Sequence, residues 1–381
     1  MKILIVSAQP LLSLGGVQTF SLRFAAEAKK MAHEVWFLTT QKDSTGIHSQ
    51  VESVPTIKLR AVQVMNGRLP VPYRISEMRE AALLISKYFR GQKDAIVVIQ
   101  TRLYPTSILM ALLCRFLNVR CIVIDHGSGH LFDGTSFIGS LANFYEHFST
   151  LIIRLLGVQF YAVSKASQNW LKHFGIQNSS IVSNGVDASL LDVKVKEFSS
   201  ASKTLHIAYC GRLIKGKGVI ELIEAVEIAS RDESVGDIQL KIVGDGPLFR
   251  DIEIAANGSR RVEIVGALSH AETKNVIANS DIIVLASTYP EGFPTVALES
   301  AALGRIIIAT QLGCGDGLLV DGYNGFLLSS GSAQSIAESI IAAANLSSAE
   351  KVQFGFRIRD QAKTSFLWST IVKKFLSEVV Q

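Results

Sequence analysis

The chain contains no run of eighteen or more apolar residues, so none of its 381 residues reads as part of a membrane-crossing helix. The apolar start Ile3 to Val6 is interrupted by Ser7, Gln9 and Pro10 before it reaches the length of a signal-peptide core, and the protein is expected to stay in the cytosol. Cysteine is scarce. Cys114, Cys121, Cys210 and Cys314 form no C-x-x-C pair, so no metal site is expected and reduced, buried thiols are. The lysines and arginines are scattered and carry no nucleic-acid-binding motif, which ranks nucleic acid last among possible anionic partners.

What is present is 48% hydrophobic and 19% charged, the composition of a globular chain long enough for two α/β domains. The net charge of +5 hides an asymmetry. Met1 to Gly185 holds 19 Lys and Arg against 10 Asp and Glu, and the remainder holds 19 against 23, so the halves carry +9 and −4. A basic half suits an anionic membrane or a phosphorylated substrate.

Strands are expected at Lys2 to Ser7, His33 to Thr40, Ala95 to Gln100, Arg120 to Asp125 and Val158 to Ser164, with helical stretches at Thr19 to Met31, 76–90, 105–117 and 138–155. The turn-rich stretch Gln177 to Asp187, followed by a polar segment to Lys203, marks a domain boundary. Strands resume at Leu205 to Gly211, Gln239 to Gly244, Val262 to Gly266, Asp281 to Ser287 and Arg305 to Thr310. Alternation of this kind implies two doubly wound, Rossmann-like α/β domains, 1–185 and 186–365, facing across a cleft. The amphipathic stretch Phe366 to Val380 forms a C-terminal helix, 366–381, packing back on the first domain; capping of the second domain is the alternative.

The segment Thr288 to Gly304 (TYPEGFPTVALESAALG) follows a buried strand and opens a helix, with Pro294 in its first turn. Ligands of open α/β sheets bind at such carboxyl ends. Glu291 stands just before the helix, Glu299 a little over one turn inside it, and the free amides of Thr295 to Ala297 suit an anion. Two carboxylates beside an anion cradle suit a ligand with both hydroxyls and phosphate. In isolation the reading of the two as solvated surface glutamates comes ahead of the functional one. Other strand ends project Gly15–Gly16 and Asp125–His126 from the first half, and Gly211–Arg212 and Gly244–Asp245 from the second. Arg212 and Lys217, in GRLIKGKG ahead of a helix beginning near Gly218, can neutralise a pyrophosphate.

The motifs GRLIKGKG, VGDGPL, VEIVG and EGFPTVALESAALG, in this order, resemble those of the retaining glycosyltransferases of family 4, which have the GT-B fold; the resemblance is strongest from Leu205 to Leu328. It implies sugar transfer from a nucleotide-sugar donor, UDP-sugar favoured, with retention of configuration and without a metal or cofactor; the chain contains no D-x-D motif. It also implies roles. Arg212 and Lys217 stabilise the leaving diphosphate, Glu291 holds the donor sugar's hydroxyls, and Glu299 takes the ribose. The amides of Gly292, Phe293 and Thr295 complete the cradle, Gly244 belongs to the same mouth, and the base rests against Val265 and Gly266. Gly15 and Gly16 approach the diphosphate, and His126 contacts the sugar near the reacting carbon. As a lone histidine, His126 reads equally as a satisfied loop residue. Gln18 stands where the family often has an acid, and Asp316 to Leu319 (DGLL) replaces the usual proline–glutamate pair.

Acceptor recognition is expected in the first domain. Tyr73 to Lys93 and Phe137 to Gly157 mix apolar and basic residues as an interfacial helix does, although ordinary core helices share that pattern. With the +9 charge they suggest peripheral contact with an anionic membrane and a lipid-linked saccharide acceptor, for surface polysaccharide or lipopolysaccharide synthesis. The competing functions are a nucleotide-sugar epimerase or hydrolase, and a catalytically silent binding module.

Overall fold

A computed structural model of the chain describes every residue except 12–14, 43–47, 65–68, 131–136, 199–203, 290–291 and 381; for 48–50, 137 and 380 the backbone alone is described. Glu291, and the Ser13 and Leu14 that precede the glycine pair, lie outside the described residues. Contacts divide the chain into one unit of Met1–Ser183 with Ile371–Gln381 and another of Asn184–Thr370.

The first unit runs β1 (Lys2–Ser7), α1 (Gly16–Lys30), β2 (Glu34–Gln41), β3 (His48–Val51), β4 (Val54–Val64), β5 (Leu69–Pro72), α2 (Ile75–Phe89), β6 (Ala95–Gln100), α3 (Pro105–Leu117), β7 (Arg120–Asp125), α4 (Phe137–Leu155), β8 (Gln159–Ala162), α5 (Lys165–His173) and β9 (Ser180–Ile181). Its sheet is ordered β3-β4-β2-β1-β6-β7-β8-β9, with β5 on β4. Strands β1 and β6 are apolar throughout their middles and buried on both faces, as central parallel strands must be. The chain winds from β1 towards β2 on one side and from β6 towards β7 on the other, so the switch point lies between β1 and β6, whose last residues Ser7 and Gln100 pair. The antiparallel strands β3 and β5 flank β4, where the sequence led us to expect none. Pro55, Pro70 and Pro72, tolerated on this outer ribbon, obscure the strand pattern there.

The second unit runs β10 (Thr204–Cys210), α6 (Val219–Ala229), β11 (Asp237–Val243), α7 (Phe249–Ala256), β12 (Val262–Gly266), α8 (His270–Asn279), β13 (Ile282–Leu285), α9 (Thr295–Ala302), β14 (Ile306–Ala309), α10 (Gln311–Cys314), β15 (Phe326–Leu327), α11 (Ala333–Ala344) and α12 (Ser348–Ser365). Its parallel sheet is ordered β12-β11-β10-β13-β14-β15, the arrangement of a dinucleotide-binding sheet with its switch point between β10 and β13. The period of two sorts the core. Ile207, Tyr209, Ile282, Val284, Ile306 and Ile308 join one apolar cluster, while Ala208, Cys210, Ile283, Leu285, Ile307 and Ala309 join another. Helices therefore cover both faces of the sheet.

The last helix, α13 (Trp368–Val380), changes unit along its length. The Val186 amide donates to Phe366 O at 2.8 Å and the Trp368 amide to Val186 O at 3.2 Å, holding its start in the second unit. Phe375 meets Phe24 edge-on at 5.3 Å and Tyr161 at 5.1 Å, which places its end in the first.

Candidate functional site

In the second unit three strand ends are stitched together by their backbones. The Gly211 amide donates to Val243 O at 3.0 Å, Leu213 to Asp245 O at 2.9 Å and Gly244 to Gly266 O at 2.8 Å. Gly244 has φ +145°, and a Cβ on it would sit 1.8 Å from Gly211 O, so the loops carrying Arg212 and Gly244 touch backbone to backbone. At β12 the register skips Val265: Ile242 pairs Ile264 and Val243 pairs Gly266. The bulge leaves Val265 out of the ladder on an edge strand, where its backbone can meet a ligand.

The loop holding the two cations closes on the end of β13. Gly216 O accepts from the amides of Thr288 (2.7 Å) and Tyr289 (3.1 Å). Gly218 caps α6 at φ +74°, and a Cβ there would lie 2.5 Å from Ala286 O. Lys217 is thereby drawn in to 9% exposure, while Arg212 remains exposed. Helix α9 starts at Thr295, with Pro294 as its N-cap rather than within its first turn, because Pro294 takes ψ 119°. Among the described residues no side chain caps that end and no acid lies in its first turn, so the first amides and the dipole are offered to a ligand. Arg212, Lys217, Gly211, Pro294, Thr295 and Val296 line one pocket of about 170 Å³.

Glu299 is 9% exposed, so it is no surface residue. Its Oε1 lies 2.6 Å from Nε2 of His270, the first residue of α8, whose start is fixed by the Ser269–Glu272 capping box. Burial, and then the charge of Glu299, pushes the neighbouring Cys210 thiol up to about 12. Phe293 turns into the core, its ring tilted against Phe366 at 5.4 Å, and Asn184 Nδ2 donates to its carbonyl at 2.6 Å, which anchors the chain just ahead of α9. Gly292 lies beside it, partly exposed. In the DGLL segment, Gln311 Nε2 donates to Asp316 Oδ1 at 3.1 Å and Asn324 Nδ2 to Leu318 O at 3.1 Å.

In the first unit, Gly15 caps α1 in an extended conformation and Gly16 begins the helix earlier than the periodicity predicts. A Cβ on Gly15 would strike Gln18 Oε1 at 2.2 Å, whereas Gly16 has nothing within 4 Å. Gln18 is buried and donates to Gln9 Oε1 at 3.1 Å, and Gln9 in turn donates to the Tyr104 hydroxyl at 3.1 Å, so this departure from the family acid is absorbed into an uncharged chain. His126 follows β7, beside the end of β6. Its Nε2 is 2.6 Å from Gln100 Oε1 and Phe20 packs edge-on at 5.0 Å. Loss of solvent lowers its pKa to about 3, so the ring is neutral, with Nε2–H given to Gln100. Asp125 does not project from its strand end as expected. It is 0% exposed and takes Arg102 Nη1 at 2.8 Å in a buried ion pair.

Sequence reasoning overlooks three partners: Arg102, His270 and Gln100. Each is an ordinary residue in its local pattern, and only tertiary folding sets it against Asp125, Glu299 and His126. The cysteines are all free thiols; Cys121 is only partly buried and its pKa is raised, first by a hydrogen bond with Cys114 and then by burial. Among the described residues no helix is long and apolar enough to cross a membrane.

Residues 14–190 match the profile of Glycosyltransferase Family 4 and residues 192–355 that of Glycosyl transferases group 1. An uncharacterized glycosyltransferase of Methanocaldococcus jannaschii is 26% identical over 74% of this chain and 73% of its own length. The UDP-Gal:alpha-D-GlcNAc-diphosphoundecaprenol alpha-1,3-galactosyltransferase of Escherichia coli is 24% identical over 67% of this chain and 68% of its own. Among solved structures, HepE of Anabaena in complex with UDP shares the fold with a TM-score of 0.71 at 18% identity, covering 100% of this chain and 99% of that one.

Proposed function

The chain belongs to the glycosyltransferases that join a family 4 domain to a group 1 domain, and we propose that it transfers a hexose or N-acetylhexosamine from a UDP-sugar, with retention, to a saccharide acceptor carried on a lipid. The observation that carries this reading is the pocket in which Arg212, Lys217 and the start of α9, which no described side chain caps, converge. Fixed cations and helix amides aimed at one place stabilise charge that develops on a leaving diphosphate, and in many enzymes no other effect lowers the barrier as much. With the charge met by side chains and amides, the reaction needs no metal. Glu299 takes the ribose, Glu291 the sugar hydroxyls, and the bulged backbone at Val265 and Gly266 the base. For the retaining step we adopt a front-face path, in which the donor phosphate accepts the acceptor's proton as the new glycosidic bond forms and the bond to the diphosphate breaks.

A lipid-linked acceptor is supported by the surface of the first domain and by the lipid diphosphate named for the Escherichia coli relative. Helices α3 and α4 expose Leu112, Phe116, Ile138, Leu141, Phe144, Phe148, Leu151 and Leu155. The one acid of these two helices, Glu146, is 2% exposed, and Arg115 and Arg154 are exposed, so the apolar face carries only positive charge at its rim. That combination fits the interface of an anionic bilayer.

The test is turnover with a panel of nucleotide sugars and a lipid diphosphate saccharide, with chelator present throughout. A product linked in the donor's own anomeric configuration is expected. Release of free sugar or of an altered sugar nucleotide without use of the acceptor would show a hydrolase or epimerase instead, and binding without turnover a silent module. A glycosyl–enzyme trapped on a carboxylate would overturn the front-face path. Flotation with anionic vesicles tests the membrane face: Phe144→Ser with Phe148→Ser is expected to abolish it, and wild-type protein that fails to float at low salt refutes it.

A further inference from the structure

Three histidines far apart in sequence meet in the first unit. His130 lies in the loop leaving β7, His147 is on α4, and His173 is the last residue of α5. One ring nitrogen from each lies within 4.8 Å of the other two, and all three residues are exposed to solvent. Around them stand aromatic rings: Trp170 lies flat on His173 at 5.0 Å and edge-on to His130 at 4.8 Å, and Phe174 packs on His147 at 4.7 Å. Stacking alone would account for rings in contact. It does not require their nitrogens to converge on one point.

A second observation separates the two explanations. Glu146, buried at 2% exposure and adjacent to His147, places Oε2 3.2 Å from Nδ1 of His130, so that the buried carboxylate orients the exposed imidazole. Its own position is held by Arg102 Nη2 at 3.6 Å, and Arg102 lies over the Phe174 ring at 4.0 Å. A carboxylate on one nitrogen of an imidazole is the usual support for metal ligation through the other, because it fixes the tautomer and raises the basicity of that other nitrogen.

We propose that His130, His147 and His173 bind a zinc ion, with Glu146 orienting His130 and a fourth position open to water. Three neutral imidazoles match zinc in softness and number. Tetrahedral bonds of about 2.0–2.1 Å put nitrogens roughly 3.4 Å apart, so the rings close by at most about 1.4 Å, which rotation of exposed side chains supplies. The ion ties the loop after β7 to α4 and α5. Its ligands all belong to the first unit, whereas the diphosphate pocket is built by the second, and the ion takes no part in the transfer step.

The experiment is calorimetric titration of zinc chloride into the chelator-stripped full chain, with cobalt chloride as a spectroscopic probe. One saturable zinc per chain and an intense tetrahedral cobalt spectrum are expected. His147→Ala with His173→Gln should weaken zinc by at least ~100-fold while leaving the metal-free melting temperature unchanged, since both side chains are exposed. Absence of saturable binding overturns the proposal, as does unchanged affinity in the double variant. Should that variant fold poorly, the wild-type cobalt spectrum still decides, because a weak octahedral spectrum would refute a histidine-built site.

Discussion

Replacing Gly218 by alanine tests whether the two cations are held by backbone packing or merely by a solvated loop. Gly218 sits at φ +74°, where an L-residue pays about 1–2 kcal/mol. The added Cβ would lie 2.5 Å from Ala286 O and 2.8 Å from Ala286 Cβ, and neither neighbour is the end of a flexible side chain. The loop or the end of β13 must therefore move, at an overpacking cost of roughly 1–3 kcal/mol. Together these predict a loss of about 2–5 kcal/mol, or roughly 5–15 °C in the melting of a domain of this size. Because Lys217 precedes Gly218, and Ala286, which the new methyl would strike, lies between Leu285 and Ser287, the displacement reaches both walls of the pocket. A shift near 1 Å at a catalytic group costs up to ~10²-fold in rate. Differential scanning calorimetry and steady-state transfer kinetics measure the two effects. A variant melting within about 1 °C of wild type, with unchanged donor KM and kcat, would refute this account of the loop.

Gly16→Ala is the complementary case. Its methyl enters open space on a helix, so stability should hold or rise by up to ~1 kcal/mol, while donor KM rises if the glycine is there for close ligand approach; an unchanged KM removes Gly16 from the site. Arg212→Ala and Lys217→Ala should each lower kcat about 10²–10³-fold, with Arg212→Ala leaving the melting temperature unchanged because the side chain is exposed; a purely KM effect would show uniform binding instead. His126 has its folded pKa lowered from 6.5 to about 3, so its contribution to stability is present above pH 6.5 and is lost as the pH falls from 6.5 towards 3. Chemical denaturation at stepped pH should show a flatter acid limb for His126→Gln, and an identical limb would mean that the ring is solvated.

The second domain was largely legible because its strands β13 and β14 are buried on both faces and its motifs are local. Ile306 to Ala309 is an unbroken apolar run, and Gly216 and Gly218 of GRLIKGKG stand at positive φ, Gly218 also hard against the Ala286 backbone. The first domain was less so. Strand β4 pairs in parallel with β2 along one stretch and antiparallel with β3 and β5, and no local periodicity encodes those three registers. The carboxylates were harder still. Asp125 and Glu299 stand at comparable strand and helix positions in the sequence, yet one is spent on a buried arginine and the other on an exposed histidine. Whether a strand-end acid points outward depends on which cation folding brings beside it, as Arg102 illustrates.

That distinction sharpens the reading of Glu299. A carboxylate meant only to stabilise the core would be matched by a buried partner, as Asp125 is. Glu299 instead has its Oε1 on a side chain that is 57% exposed, at the start of a helix already capped by Ser269. His270 is therefore not required to satisfy α8, and its contact with Glu299 leaves Oε2 without a described hydrogen-bond partner. A carboxylate has acceptor capacity for about four bonds, so a fixed Oε1 and an available Oε2 can together receive two neighbouring hydroxyls. On the function proposed above, the contact with His270 holds the carboxylate in place for the two hydroxyls of the ribose.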